Sequence, residues 1–330
     1  MTKAGHSYAI QALHVLLSLV FSFCALPRFA LGQTHQPSYR IAFVRVDTQA
    51  TYTLERRSWL FTMDSDGKSI HDLKLEGFDP GWSPDGKRLA FASAKDEAAS
   101  EIYIVNADGS GLVRVTRLKG GSHAGHPVWS PDGKQIAFYR WIGKIPEVFV
   151  VSVDGGEAKQ LTSGGGVDPT WSPDSKKIAF ASASAGSIQI YSVRADGGGL
   201  TQLTNAKPGS TEPAWSPDGG KILFTVPGDI DHPSIVGILD VSSGKATRFA
   251  YSDKFSFFSP AWSPDGSTVL LETSGNGGIG VLGPSPYLSP RDRTPVWKHQ
   301  IFSIGVDGSN SRQLTKADDG GGSPAAGKLN

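Results

Sequence analysis

Cysteine, methionine and net charge are all scarce in this chain of 330 residues. It contains one cysteine and two methionines, and its 32 basic residues nearly balance 31 acidic ones. Nucleic acids and anionic membranes attract clustered positive charge, so this balance argues against either as a partner. No amphipathic helical stretch stands out, whereas 40 glycines and 21 prolines are present. This composition favours an all-β chain of many short strands joined by turns.

The first 32 residues differ in composition from the rest of the chain. An apolar run over 12–26 is too short for a comfortable membrane span, and small residues follow just before Gln33. We therefore predict a signal peptide over 1–32 and a polar lead-in over 33–39, with an uncleaved anchor as the alternative. The mature chain would have no cysteine and no membrane span, and its expected location is periplasmic or secreted.

A five-residue motif, Trp-Ser-Pro-Asp-Gly, recurs almost letter for letter along the chain. Its copies begin at Trp82, Trp129, Trp171, Trp215 and Trp262, which are 42 to 47 residues apart. Asp-Gly favours a tight turn, and each copy is followed by a short apolar run such as Leu89-Ala90-Phe91. The motif therefore predicts a β-hairpin whose tryptophan packs between repeats. Four sequential antiparallel strands at this period are typical of β-propeller blades.

The two ends of the repeat region complete one further unit. Arg40 to Val46 matches the strand that follows each motif, although no motif precedes it. The tail from Gly322 to Ala326 resembles the approach to each motif, and it would supply the missing strand. The prediction is a six-bladed β-propeller of four-stranded antiparallel blades over 40–326, closed by N- and C-terminal segments that share a blade. A frayed tail is the alternative.

The motif, together with the Ile-Tyr, Asp-Gly and Leu-Thr pairs that follow it, resembles the β-propeller repeat of the TolB family. The resemblance covers about residues 40–316 and implies the fold but no particular activity. TolB proteins act in the periplasm, within the Tol–Pal envelope system, and carry an additional α/β domain before the propeller. Few residues separate the predicted signal peptide from the first strand here. The resemblance therefore implies an exported propeller domain that stands alone.

A ring of polar residues is predicted at one mouth of the central channel. The residue three positions before each motif tryptophan precedes a proline, and these residues are Asp79, His126, Asp168, Glu212 and Ser259. In a propeller the motif strand is innermost, so the five side chains should converge. Such a ring could bind a divalent cation, a cationic peptide group or sugar hydroxyls. Alternatively, each side chain caps backbone N–H groups within its own blade.

An insertion over 275–297 interrupts the last complete repeat. It is rich in glycine and proline and carries Tyr287, Arg291 and Arg293. Long loops on rigid scaffolds often bind partners, although a surface loop without a role is the alternative.

These observations favour a non-enzymatic binding module over an enzyme. The chain has no Gly-x-Ser-x-Gly nucleophile elbow. The leading hypothesis is an exported monomer that binds a protein or peptide of the cell envelope at the ring, with no cofactor. The alternative is a carbohydrate-active or other enzyme that uses the same ring with a metal such as calcium. A third possibility is a scaffold that contacts partners only through the insertion.

Overall fold

The computed structural model of the chain describes eight stretches. They are residues 39–46, 58–95, 99–118, 122–229, 232–252, 255–275, 299–315 and 322–328. The chain divides into two compact units, Met1–Gln36 and Pro37–Asn330, and every described residue belongs to the second. The predicted signal peptide and the insertion beyond Gly275 therefore lie outside the described residues. These stretches contain no helix that is long and apolar enough to cross a membrane.

All the regular secondary structure of the described residues is β-strand, and these strands group into six sheets of four. The first three strands belong to blade 6, which the C-terminal strand completes. They are β1 (Tyr39–Val46), β2 (Ser58–Asp64) and β3 (His71–Glu76). Blade 1 contains β4 (Phe78–Trp82), β5 (Arg88–Ser93), β6 (Glu101–Asn106) and β7 (Val113–Arg114). Blade 2 contains β8 (Ala124–Trp129), β9 (Gln135–Ile142), β10 (Ile145–Ser152) and β11 (Lys159–Gln160). Blade 3 contains β12 (Val167–Trp171), β13 (Lys177–Ser182), β14 (Gln189–Arg194) and β15 (Thr201–Gln202).

The remaining strands complete the ring. Blade 4 contains β16 (Thr211–Trp215), β17 (Lys221–Val226), β18 (Ile235–Asp240) and β19 (Ala246–Ala250). Blade 5 contains β20 (Phe255–Trp262), β21 (Thr268–Gly275), β22 (Gln300–Gly305) and β23 (Arg312–Gln313). The last strand, β24 (Gly322–Lys328), pairs antiparallel with β1, so blade 6 has the order β24-β1-β2-β3. This arrangement confirms the predicted six-bladed propeller and its closure by the two terminal segments.

The first strand of every blade faces the axis of the ring. Each of β4, β8, β12, β16, β20 and β24 contacts the first strands of both neighbouring blades, and the contacts close on themselves. The second strands lie directly behind and are buried on both faces, which is why they are nearly continuous apolar runs rather than alternating ones. In β5, for example, Leu89, Ala90, Phe91 and Ala92 are all fully buried.

The motif tryptophans pack between neighbouring blades, as the motif predicted. Trp171 Nε1 donates a hydrogen bond to the Val128 carbonyl of the preceding blade at 3.1 Å. Trp262 Nε1 donates to the Ala214 carbonyl in the same way at 3.0 Å. Trp215 differs, since it is half-buried and donates to the Gly219 carbonyl of its own turn at 3.1 Å.

The turn after each tryptophan is held by its own side chains. In the first repeat, Ser83 Oγ donates to Asp85 Oδ1 at 2.6 Å and accepts from the Arg88 N–H at 2.9 Å. Gly86 then has a φ of 67°, a left-handed conformation that glycine adopts without strain. Because this chemistry is local, the turn forms in the same place in every copy of the motif and sets the register of the hairpin.

Candidate functional site

The five residues predicted to form a ring share an unusual backbone conformation. Each is a non-glycine residue with a φ of 46° to 53°, a left-handed conformation that L-residues rarely adopt. They will be called the pre-proline ring, and they are Asp79, His126, Asp168, Glu212 and Ser259. All five side chains are half-buried.

A β-bulge in each first strand explains this conformation. The pairing with the second strand shifts register between Phe78 and Gly81, Gly125 and Val128, Val167 and Thr170, Thr211 and Ala214, and Phe258 and Ala261. A bulge leaves its residue out of the ladder and re-aims the side chain, and the following proline has no N–H to contribute to the ladder. Because the same bulge recurs at the start of five inner strands, the five residues lie at the same end of the ring axis.

The ring side chains bridge neighbouring blades. The His126 N–H donates to Asp79 Oδ2 at 3.1 Å, and the Ser259 N–H donates to Glu212 Oε2 at 2.8 Å. In both pairs the carboxylate belongs to one blade and the N–H to the next. These carboxylates thus satisfy backbone groups, as the capping interpretation expects, but they do so between blades rather than within one.

His126 and Asp168 form the closest side-chain pair of the ring. The imidazole Nδ1 lies 3.1 Å from Asp168 Oδ1, and the two side chains are 37% and 22% exposed. Burial lowers the pKa of His126, but its hydrogen bond to Asp168 and the charges of Asp168, Asp79 and Glu212 outweigh that effect and raise the pKa to about 9. His126 is therefore a cation at neutral pH and donates from Nδ1.

Two of the ring carboxyls hold their protons more tightly than usual. Burial raises the pKa of Glu212 to about 7, and the charge of Asp168 adds to this despite the hydrogen bonds from Ser259 and Thr225. Burial also raises the pKa of Asp79, although the charge of His126 opposes the rise. The charges of neighbouring carboxylates also raise these two pKa values, but desolvation is the larger cause.

A second layer of polar residues stands behind the ring on the second strands. Thr225 Oγ1 donates to Glu212 Oε2 at 2.7 Å. The Tyr139 hydroxyl lies over Gly125, where an added Cβ would come within 2.4 Å of it. Burial, with the charges of Asp79 and Asp168, raises the pKa of that hydroxyl.

Glu272 is the third member of this layer and is fully buried. Its Oε1 lies 2.6 Å from Nδ1 of His299, the residue before β22. Its charge contributes to the raised pKa values of Asp79 and Glu212. Glu272 therefore belongs to the same electrostatic cluster as the ring.

Sequence reasoning missed this second layer, although the repeats contain a signal for it. Tyr139, Thr225 and Glu272 each lie ten residues after a motif tryptophan, whereas Ala92 and Ala181 occupy that position in the other two copies. A polar residue directly after a buried apolar run, at a position where other copies have alanine, is the unusual feature. Aligning the repeats on their tryptophans reveals it.

Together these residues form an acidic cluster that can bind cationic groups. Three ring carboxyls and Glu272 lie close to two imidazoles, so acidic groups outnumber basic ones in the cluster. Within the described stretches, no group of three or more His, Cys, Asp or Glu side chains is arranged to hold a metal ion. The insertion residues Tyr287, Arg291 and Arg293 lie outside the described residues.

Comparisons with known proteins identify the family of this fold. The family model of the TolB beta propeller domain matches residues 36–168 and 126–283. TolB from Acinetobacter baumannii is 24% identical with a TM-score of 0.69, over 88% of this chain and 67% of that one. A TolB candidate from Agrobacterium tumefaciens is 21% identical with a TM-score of 0.62, over 84% of this chain and 88% of that one.

The same fold is found in proteins of other kinds. Hydrazine synthase of Kuenenia stuttgartiensis is 16% identical with a TM-score of 0.66, over 88% of this chain and 47% of that one. A search of the curated proteins found no match. At these identities the structural similarities establish the fold alone.

Proposed function

The chain belongs to the TolB β-propeller domain family, and on that premise we propose that it is an exported module that binds a protein or peptide partner at the pre-proline ring. Propellers of this family serve as protein-interaction modules. Export rests on the leader-like composition of residues 1–32. The predicted leader and the family together support a location in the cell envelope.

The observation that carries the proposal is the five-fold repetition of a strained residue. A left-handed conformation at a non-glycine residue costs on the order of 1 kcal/mol or more. A chain that needed only a turn at these places would be more stable with glycine. The side chains re-aimed by the bulges therefore have a use, and backbone strain at such positions is commonly associated with binding sites.

The charge of the cluster suggests the chemistry of the partner. Asp79, Asp168 and Glu212 converge with Glu272 close behind them, and all of these carboxyls are at least partly withdrawn from water. A lysine or arginine side chain would offset that negative charge and supply hydrogen-bond donors. An extended peptide segment carrying such a residue fits a ring of side chains better than a broad flat surface does.

Affinity capture from an envelope extract tests this proposal. The wild-type protein is compared with the double variant Asp168→Asn/Glu212→Gln, which replaces two acidic carboxyls with neutral amides of nearly the same shape. A matched control is Asp174→Asn/Asp218→Asn, which removes two carboxylates from turns of the same two blades. We expect the ring variant to bind the captured partner roughly tenfold or more weakly, whereas the control binds normally.

Two other results would point elsewhere. If the ring variant and the wild type capture the same partner equally well, the ring has a structural role and the proposal is wrong. If no protein is captured but the wild type releases a bound divalent metal on denaturation, the enzyme hypothesis from the sequence gains support instead.

A further inference from the structure

The hairpin between β9 and β10 in blade 2 ends in an exposed apolar tip. Its strands are eight residues long, whereas the second strands of blades 1, 3 and 4 have six. Ile142 and Ile145 face each other across the ladder, and Gly143 makes the turn between them with a φ of 61°. These two isoleucines are 45% and 53% exposed. Directly opposed residues share one face of a sheet, so the two side chains form a single apolar contact surface.

The tip lies at the same end of the blade as the pre-proline ring. Since β9 runs antiparallel to β8, its last residues lie beside the start of β8, where His126 is found. Tyr139 of β9 pairs with Gly125, the neighbour of His126. Ile142 is three residues farther along the strand, which at about 3.3 Å per residue is roughly 10 Å beyond that level.

The size of the tip limits what can cover it. Stable interfaces between protein copies bury on the order of 1,000 Å² or more. Two half-exposed isoleucines offer only a small part of that area, so the tip does not suffice as a dimer interface by itself. It is the right size for one or two apolar side chains of a peptide that already has a contact nearby.

Resting on the proposed function, we infer that the tip is the second contact of the same partner segment. The segment carries a basic residue that enters the pre-proline ring and an apolar residue two to four positions away that packs on Ile142 and Ile145. Three residues of extended chain span about 10 Å, which matches the distance along β9. Blade 2 thereby sets the direction in which the partner leaves the ring.

Selection from a displayed library of random twelve-residue peptides tests the inference. The purified wild-type protein is compared with Ile142→Ser/Ile145→Ser. The matched control is Val113→Ser/Leu200→Ser, because Val113 and Leu200 are 57% and 62% exposed on the outer sides of blades 1 and 3, in or next to β7 and β15. We expect wild type and control to enrich peptides with Lys or Arg and an apolar residue two to four positions away. The tip variant should keep the basic preference and lose the apolar one.

Titration of one enriched peptide gives the magnitude. Replacing its apolar residue with serine should weaken binding to the wild type about tenfold, since a partly buried leucine-sized side chain contributes on that scale. The same replacement should have little effect on binding to the tip variant. Circular dichroism and a thermal melt confirm that each variant is folded.

Several outcomes would overturn the inference, and they separate it from the proposed function. If basic residues are enriched and lost with Asp168→Asn/Glu212→Gln, but the apolar preference is absent or survives in the tip variant, only the inference is wrong. If the wild type shows no basic preference, the proposed function fails and the inference with it. If sedimentation shows a wild-type dimer that the tip variant cannot form, a second copy covers the tip instead.

Discussion

Replacing Glu212 by glutamine should make the protein more stable above neutral pH. The Glu212 carboxylate is half-buried, and burial raises its pKa from 4.5 to about 7. Its Oε2 accepts hydrogen bonds from the Ser259 N–H at 2.8 Å and Thr225 Oγ1 at 2.7 Å. A glutamine amide oxygen can accept both of these bonds, so the substitution removes the charge and preserves the contacts.

The size and sign of the effect follow from linkage between ionisation and folding. A carboxyl whose folded pKa is raised contributes stability that is present below about pH 4.5 and is lost as the pH rises through about 7. At about 1.4 kcal/mol per pKa unit the full effect would be about 3.5 kcal/mol, and partial solvent exposure reduces it to about 1–2 kcal/mol. Glutamine cannot ionise, so the variant should gain about that much in its free energy of unfolding at about pH 8.

Urea denaturation followed by tryptophan fluorescence measures this at about pH 4.5 and about pH 8. The two proteins should be equally stable at the lower pH and diverge at the higher one. Asp218→Asn is the control in the same blade. Hydrogen bonds from Ser216 and the Gly220 N–H lower the pKa of Asp218, so this change should instead reduce stability at about pH 8. Equal stability of wild type and Glu212→Gln at about pH 8, or a loss in the variant, would refute the reasoning.

Two further predictions concern the ring and the closure of the propeller. Asp168→Asn should lower the pKa of His126 by more than about one unit toward 6.5, which an NMR titration of the imidazole would detect; an unchanged pKa would contradict the pairing. Gly133→Ala should reduce the free energy of unfolding by about 1 kcal/mol, because alanine is strained in the left-handed conformation. Gly86→Ala should destabilise the protein at least twice as much. The extra cost arises because a Cβ at Gly86 would lie 2.1 Å from the Lys328 carbonyl in the closing strand, whereas Gly133 has nothing within 4 Å. Equal melting temperatures for the two variants would show that β24 shifts to accommodate the added Cβ, and the prediction would be wrong.

The fold was predictable because its signals are local and repeated. Each Trp-Ser-Pro-Asp-Gly copy carries its own turn chemistry, so a single copy predicts a hairpin and the period predicts the blade. The missing motif before Arg40 and the motif-like tail around Pro324 together indicated the shared blade. The structure confirms this through the pairing of β1 with β24.

The candidate site was only partly predictable. The proline after each ring residue marked five equivalent positions, but nothing in the local sequence indicated their left-handed conformation. Tyr139, Thr225 and Glu272 were overlooked because each directly follows an apolar run, and only an alignment of the repeats distinguishes that position. His299 follows the insertion and matches no repeat position, so only its contact with Glu272 reveals its place.

By itself, the sequence determined the number of blades, the turns between strands and the strand that begins each blade, since these depend on residues close together in the chain. Only the tertiary structure decided which charges meet. Asp79 accepts from the N–H of His126, 47 residues away, and His126 pairs with Asp168, 42 residues farther on. Ionisation depends on burial and on distance through space rather than along the chain. The protonation of Glu212 and His126, and with it the charge of the ring, therefore exists only in the closed propeller.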